Sequence, residues 1–205
     1  MFKVLVILIL TCTITYSQGK NTYGVKLGFV NSSINNESDH TSLNLFNDTR
    51  LGPSFDIFFV TNLYSHLAME FDLGFVQKGA SDRLAVTTPD QPFGTGEYIG
   101  LDYKLDYIKL SSSLSTKFVI EVTEFQPFLG LSSNFLIDDK GFNIDDLTSF
   151  NFGYLFGLKI VFNNSMKNPI FLEIMREIDF DHFYKNHFLE LNSAYWGFKL
   201  GFYYN

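Results

Sequence analysis

The sequence predicts an all-β fold, an eight-stranded antiparallel up-and-down transmembrane β-barrel. Three observations support this prediction: an N-terminal export signal, eight segments in which apolar and mixed positions alternate, and connections that are alternately long and short. Side chains of a strand point alternately to its two faces, so one apolar and one mixed face are typical of a strand between lipid and a barrel interior. Phenylalanine is very frequent, with 24 residues among 205, and aromatic residues favour strands.

The first 17 residues have the pattern of a secretory signal peptide. Lys3 precedes a short apolar run, Val4 to Leu10, and small residues follow it. We predict cleavage between Ser17 and Gln18, which leaves a single barrel domain, residues 18–205. The apolar run is too short to anchor the chain, because a helix needs about 20 residues to span a bilayer.

Period-two alternation defines the predicted strands. The C-terminal stretch A-Y-W-G-F-K-L-G-F-Y-Y-N shows it clearly, with apolar residues at even positions and glycine and Lys199 among the odd ones. The predicted strands are residues 22–31, 52–60, 67–78, 101–118, 125–137, 150–162, 169–178 and 189–205. The residues predicted to face lipid are Phe29, Ile57, Phe71, Leu73, Phe156, Trp196, Phe198 and Phe202.

The fourth predicted strand changes phase. Its apolar residues occupy odd positions up to Tyr107 and even positions from Ile108 onward. A one-residue slip would turn every later side chain to the other face, so the pattern predicts a β-bulge near Tyr107 and Ile108.

The connections differ in length in strict alternation. The predicted long ones are residues 32–51, 79–100, 138–149 and 179–188, and the short ones are 62–66, 119–124 and 163–168. Long loops at one end and short turns with both termini at the other are typical of outer-membrane barrels. We therefore expect the long connections at the cell surface and the short turns in the periplasm.

Charged residues alternate with the apolar ones and are predicted to point into the barrel. This polar lumen network consists of Lys26, Asp56, Glu70, Asp72, Lys109, Lys159, Glu173 and Lys199. An enzyme could use two such carboxylates as acid and base. Paired charges in a filled lumen are the better interpretation, because an eight-stranded barrel is just wide enough for side chains to fill.

Neither the histidines nor the remaining acids form a recognisable chemical site. All four histidines lie in predicted loops, and Asp179, Asp181 and His182 are interpreted as a solvated loop rather than metal ligands. The one cysteine, Cys12, lies in the predicted signal peptide. We therefore expect no catalytic residues, no cofactor and no metal, and the net charge of −7 argues against nucleic acid as a partner.

Several stretches together resemble the Bacteroidetes-type outer-membrane β-barrel family that includes the PorT-like proteins. They are Y-G-V-K-L-G, M-E-F-D-L-G-F-V-Q-K-G, L-D-Y-I-K-L, F-Q-P-F-L-G-L-S, F-G-Y-L-F-G-L-K-I and G-F-K-L-G-F. The chain departs from this family at Ser111-Ser112-Ser113, where the family continues its fourth strand with apolar residues. The resemblance implies a barrel in the outer membrane and transfers no catalytic residues.

The sequence leaves several functions open. The leading hypothesis is a non-enzymatic barrel with a closed polar lumen that is structural, accessory to secretion or envelope assembly, or adhesive through its external loops. Its expected partners are outer-membrane lipid, the barrel-assembly machinery during insertion and other envelope proteins. The alternatives are a small porin, a transporter of hydrophobic molecules, a lipid-modifying barrel enzyme, and a soluble lipocalin-like barrel with the opposite orientation of its side chains.

Overall fold

The computed structural model describes residues 21–36, 48–86, 90, 96–140, 147–162, 167–180, 182–185 and 190–204. The predicted signal peptide lies outside these residues, so its cleavage stays a prediction. Most of the described residues form β-strands. No helix in the described part of the chain is long and apolar enough to cross a membrane.

Eight strands form the barrel wall. They are β1 (Thr22–Asn36), β2 (Asp48–Tyr64), β3 (Leu67–Ala85), β4 (Tyr98–Thr116), β5 (Thr123–Lys140), β6 (Phe150–Phe162), β7 (Ile170–Asp179) and β8 (Glu190–Tyr204). Two short strands accompany them: Phe118–Ile120 extends the hairpin between β4 and β5, and Tyr184–Lys185 pairs with the start of β8.

The sheet closes on itself. Each strand pairs antiparallel with its neighbour in sequence, and β1 pairs with β8 from Tyr23↔Tyr204 to Asn36↔Leu191. Closure leaves the wall without free edges, as a barrel in lipid requires, because backbone groups exposed to lipid have no other hydrogen-bonding partner. The predicted eight-stranded up-and-down antiparallel barrel is confirmed.

The strand ends confirm the predicted alternation of connection lengths. The long connections are residues 37–47, 86–97, 141–149 and 180–189, and the connections at the other end are 65–66, 117–122 and 163–169. The first and last residues of the wall, Thr22 and Tyr204, lie at the end with the short connections. We refer below to the long-connection end and the short-turn end.

An apolar belt surrounds the barrel. Phe29 and Ile57 are each 47% exposed, and Leu73, Phe156, Trp196, Phe198 and Phe202 are exposed as well, while Phe71 is half-buried. The charged residues alternate with these side chains and are buried. The soluble lipocalin-like alternative is therefore wrong, since it requires apolar side chains inside and charges outside.

A register shift lies beside Tyr107, as predicted, but the extra residue is not in the fourth strand. β4 pairs with β3 without a register shift, and its odd positions point inward throughout, so that Leu105 and Tyr107 are fully buried. The pairing with β5 does shift, from Asp106↔Asp138 to Tyr107↔Leu136, and the extra residue is Ile137 of β5.

The phase change in β4 has a different physical cause. Between Ile108 and the long-connection end, the outward residues include Asp102, Lys104 and Asp106. The inward residues Leu105 and Tyr107 belong to a buried apolar cluster. In this part of β4 the outward face is polar and the inward face is apolar, whereas odd-numbered residues still point inward. This exchange marks the level at which the strand leaves the apolar belt.

A two-stranded ribbon projects beyond the wall at the long-connection end. The outermost pairing of β2 with β3 is Asp48↔Ser81, and the pairing of β4 with β5 begins at Lys104. Residues Asp82–Ala85 of β3 and Tyr98–Leu101 of β4 continue to pair with each other. The ribbon exposes Tyr98 and Ile99 to solvent.

We predict that Leu73→Arg impairs insertion into lipid vesicles. Leu73 lies on the outward face in the middle of the apolar belt of β3, and arginine at the bilayer midplane of a barrel costs roughly 2–4 kcal/mol. Folding is measured by heat-modifiable gel migration after reconstitution. Tyr98→Arg is the control, because it places the same side chain on the ribbon, and a normal folding yield for Leu73→Arg would contradict a lipid-facing belt.

Candidate functional site

The structure brings buried charges together along the barrel axis. All eight residues of the predicted lumen network are buried, and three further charged residues, Lys78, Glu177 and Asp179, join them. The interior thus holds five lysines and six carboxylates among the described residues. They form two groups, a central network and an outer network nearer the long-connection end.

Lys26 is the hub of the central network. Its Nζ lies 2.6 Å from Oε1 of Glu70, 2.7 Å from Oδ1 of Asp72 and 2.9 Å from Oε2 of Glu173. Asp72 also accepts a 3.0 Å hydrogen bond from Oγ of Ser111. Three carboxylates around one ammonium need further positive charge, and two other lysines supply it.

Lys159 and Lys199 complete the central network. Lys159 donates to Glu70 and lies 3.8 Å from Glu173, so that these two carboxylates share two lysines. Lys199 of β8 lies 2.5 Å from Oδ2 of Asp56 in β2. The network therefore ties together strands from all sides of the barrel.

The outer network surrounds Lys78. Its Nζ lies 3.1 Å from Oε1 of Glu177 and 2.8 Å from Oδ1 of Asp179. Lys109, which the sequence placed with the other lumen charges, pairs here with Oε2 of Glu177 at 3.3 Å. Tyr195 donates a 2.7 Å hydrogen bond to the same oxygen.

Amides and a hydroxyl group donate further hydrogen bonds to the two carboxylates of the outer network, Glu177 and Asp179. Asn134 donates to Glu177 at 2.9 Å, and Asn151 donates to Asp179 at 3.1 Å. Ser193 also donates to Asp179. Buried ions need this number of partners, because an unpaired charge in a dry interior is strongly destabilising.

Asp179 corrects the sequence interpretation. It was expected in a solvated loop, and it is the last residue of β7, 2% exposed and ion-paired. Asp181 lies outside the described residues. Glu177 and Asp179 continue the period-two series of Glu173, and this signal was obscured because Arg176 interrupts the apolar residues of the outward face.

An aromatic layer lies below the central network, toward the short-turn end. The rings of Phe58, Phe171 and Tyr203 contact one another with centroid distances of 4.9–5.5 Å. Nζ of Lys159 lies 4.6 Å from the centroid of Phe171, and Nζ of Lys26 lies 5.3 Å from that of Phe58. Aromatic faces attract cations, so this layer supports the lysines while it fills the lumen.

The long-connection end is also filled. Phe183, which follows β7, is buried in an apolar cluster that includes Leu105, Tyr107 and Leu191. Its N–H donates to the carbonyl of Leu191 at 3.0 Å, and its own carbonyl accepts from Thr148 at 2.7 Å. The segment is thus fixed across the outer part of the lumen.

Among the described residues, the space left beside the central network is small. A cavity of about 10 Å³ lies among the central network, bordered by Lys26, Glu70 and Lys109. This is room for one water molecule at most. A vestibule of about 140 Å³ at the short-turn end is lined by residues that include Asn62, Lys117 and Gln126.

Glycine creates the space that the charges occupy. A Cβ atom on Gly74 would lie 2.2 Å from Oδ1 of Asp56 and 2.3 Å from the carbonyl oxygen of Phe55. Backbone cannot move away as a flexible side chain can, so any larger residue at this position would displace Asp56 from its place opposite Lys199.

An apolar exterior, a closed antiparallel wall and a charged interior define the class of protein. The chain has the fold of an eight-stranded outer-membrane β-barrel. The barrel matches that of the outer membrane protein OprG from Pseudomonas aeruginosa with a TM-score of 0.53 at 9% sequence identity, covering 90% of this chain and 95% of OprG. At this identity the likeness shows the fold alone.

Other solved structures match with lower scores. Ail, the attachment invasion locus protein of Yersinia pestis, has 11% identity, a TM-score of 0.46 and coverage of 91% of this chain and 100% of Ail. Outer membrane protein W of E. coli has 11% identity, a TM-score of 0.42 and coverage of 90% and 98%. No protein-family model matches this sequence, and no curated protein matches it. Membership in the PorT-like family stays a prediction.

We predict that Lys78→Met lowers the free energy of unfolding by about 3–5 kcal/mol, since it leaves Glu177 and Asp179 buried without their cation. Urea titration in lipid vesicles measures the change. Lys104→Met is the control, because Lys104 pairs with Asp102 on the exposed outer surface, where an ion pair contributes roughly 0–1 kcal/mol.

A compensated variant separates charge from packing. Combining Lys78→Met with Glu177→Gln and Asp179→Asn removes the uncompensated charge, so it is expected to recover part of the lost stability. Equal losses for the single and the combined variant would show that packing around Lys78, and not its charge, stabilises the outer part of the barrel.

Proposed function

We propose that this chain is a closed, non-enzymatic outer-membrane scaffold that acts through its long-connection end. The observation that carries the proposal is the filled interior: ion pairs, aromatic rings and Phe183 occupy the lumen and leave a central cavity of about 10 Å³. A metabolite cannot pass a space of this size, so a specific activity has to reside outside the lumen.

Secretion, envelope assembly and adhesion are the roles in question. An accessory role beside other envelope proteins is compatible with a barrel whose lumen is closed, and the barrel-assembly machinery is an additional expected partner during insertion. The projecting ribbon supports a contact with envelope proteins at the long-connection end, because it exposes Tyr98 and Ile99 beyond the belt. Tyrosine and large apolar residues are suited to protein interfaces.

The charges of the lumen serve stability in this proposal, not acid–base chemistry. Each lysine of the two networks lies against at least one carboxylate, and the central cavity is too small for a substrate beside them. This arrangement supports the non-enzymatic hypothesis and disfavours a small porin or a transporter that carries molecules along the axis.

We predict that the purified protein gives no stable conductance steps in planar lipid bilayers. The side chains that fill eight-stranded barrels leave no continuous water path, and here both polar networks are held by ion pairs. A general porin reconstituted in the same bilayers serves as the positive control. Reproducible steps from this protein would defeat the closed-scaffold proposal in favour of the porin.

We predict that photo-crosslinking in intact cells captures an envelope protein from the ribbon. A photoreactive phenylalanine analogue replaces Tyr98 at the long-connection end or, as the matched control, Tyr64 at the short-turn end; the two side chains are 65% and 68% exposed. A discrete product is expected from Tyr98 and not from Tyr64. The same product from Tyr64 alone would place the contact at the opposite end of the barrel.

A further inference from the structure

Arg176 is a cation on the outside of the apolar belt. It lies in β7 between Ile174 and Ile178, which face outward, and it alternates with the buried Met175 and Glu177. Its side chain is half-exposed. Among the described residues no carboxylate forms an ion pair with it, although the buried lysines and Arg50 all have such partners.

The guanidinium group is held by Trp196. Its Cζ atom lies 5.1 Å from the centroid of the Trp196 ring, which is directly opposite in the β7–β8 pair. Stacking on an aromatic face uses the flat side of a guanidinium group and leaves the N–H donors at its edge free. Trp196 thereby fixes the orientation of donors that the protein does not satisfy.

On the side of β8 and β1, the pair lies where the apolar belt meets a polar surface. On the side of β6, the apolar residues Ile178 and Phe180 continue beyond Arg176. Trp196 is the last aromatic residue on the outward face of β8 toward the long-connection end, and Phe29 is the last on β1. Beyond Phe29 the outward residues of β1 are Asn31, Ser33 and Asn35. Trp196 pairs with the exposed Asn31, whose amide is therefore on the same side of the wall.

Lipid headgroups are within reach of the Arg176 side chain from this edge of the belt. Tryptophan is enriched at the interface of a membrane, and the long stem of arginine allows its charged group to reach the interface from within the belt. A planar guanidinium group with free edge donors matches a phosphate group, which it binds by two parallel hydrogen bonds. Protein partners are excluded from this surface as long as lipid covers it.

We infer that Arg176 and Trp196 form a binding site for the phosphate group of a membrane lipid, in the leaflet at the long-connection end. Arg176 supplies paired donors and charge, Trp196 orients them, and Asn31 adds a neutral donor beside them. The inference does not depend on the proposed scaffold function, since a porin with the same exterior would carry the same site.

The single tryptophan of the chain makes the site directly measurable. Folded protein in detergent micelles is titrated with dioleoyl phosphatidic acid while Trp196 emission is recorded. The same titration is made with dioleoylglycerol, which has identical acyl chains and no phosphate group, and with inorganic phosphate. A saturable change is expected with phosphatidic acid alone.

Substitutions test which residue reads the phosphate group. Arg176→Gln is expected to weaken the apparent affinity for phosphatidic acid at least about tenfold, because a charged hydrogen-bonding group is lost. Arg176→Lys keeps the charge but loses the planar guanidinium group, so its apparent affinity for phosphatidic acid should lie between those of the wild type and Arg176→Gln. Arg50→Gln is the matched control, since Arg50 already pairs with Asp102 at 2.6 Å, and it should bind like the wild type.

The possible contradicting results are distinct. Equal midpoints for phosphatidic acid and dioleoylglycerol would show that only acyl chains are bound, and saturation by inorganic phosphate alone would overturn the assignment to a lipid. Wild-type affinity in folded Arg176→Gln would overturn the role of Arg176. Heat-modifiable migration establishes folding for each variant, and Arg176→Lys provides the comparison if the glutamine variant does not fold.

Discussion

The mutual neutralisation of buried charges is the constraint on which the rest of this barrel depends. Lysines and carboxylates that face an interior too narrow for bulk water must find one another, or the barrel is unstable. The pairs here connect distant strands: Lys26 of β1 contacts Glu70 and Asp72 of β3 and Glu173 of β7. The position of each strand is therefore specified by its partners across the lumen as well as by its neighbours in the wall.

The apolar parts of the interior protect these ion pairs from water. Phe58, Phe171 and Tyr203 close the lumen below the central network, and the cluster around Phe183 closes it above the outer network. Electrostatic attraction is stronger in such a dry environment, and so is the penalty for an unpaired group. The same arrangement thus makes the interior both stable and intolerant of single charge deletions.

The sequence predicts the fold well because lipid imposes a strict rule on the outward face. In β6 and β8 every second residue must be apolar, and the pattern identifies both faces. The rule fails in β4, where the strand passes beyond the belt: Leu105 and Tyr107 are apolar and point inward. Apolar residues therefore mark the outward face of a strand only where lipid surrounds the strand.

The composition of the networks was harder to predict than their existence. Glu177 was missed because Arg176 interrupts the outward apolar series beside it, and Asp179 was missed because the predicted strand ended one residue earlier, at Ile178. Which lysine pairs with which carboxylate depends on the stagger of strands around the barrel, and Lys109 shows this, since it joins Glu177 rather than the central carboxylates. The stagger of the strands cannot be read from a local sequence pattern.

The seam between β1 and β8 has a consequence for how the barrel forms. Lys199 lies in β8, on one side of the seam. Lys26 lies in β1 on the other side, next to β2, which carries Asp56, the ion-pair partner of Lys199. An open sheet that lacks this last pairing would expose backbone groups and leave Lys199 and Asp56 without each other. The last strand therefore completes edge pairing and charge pairing together, and an open sheet without it lacks both kinds of stabilisation.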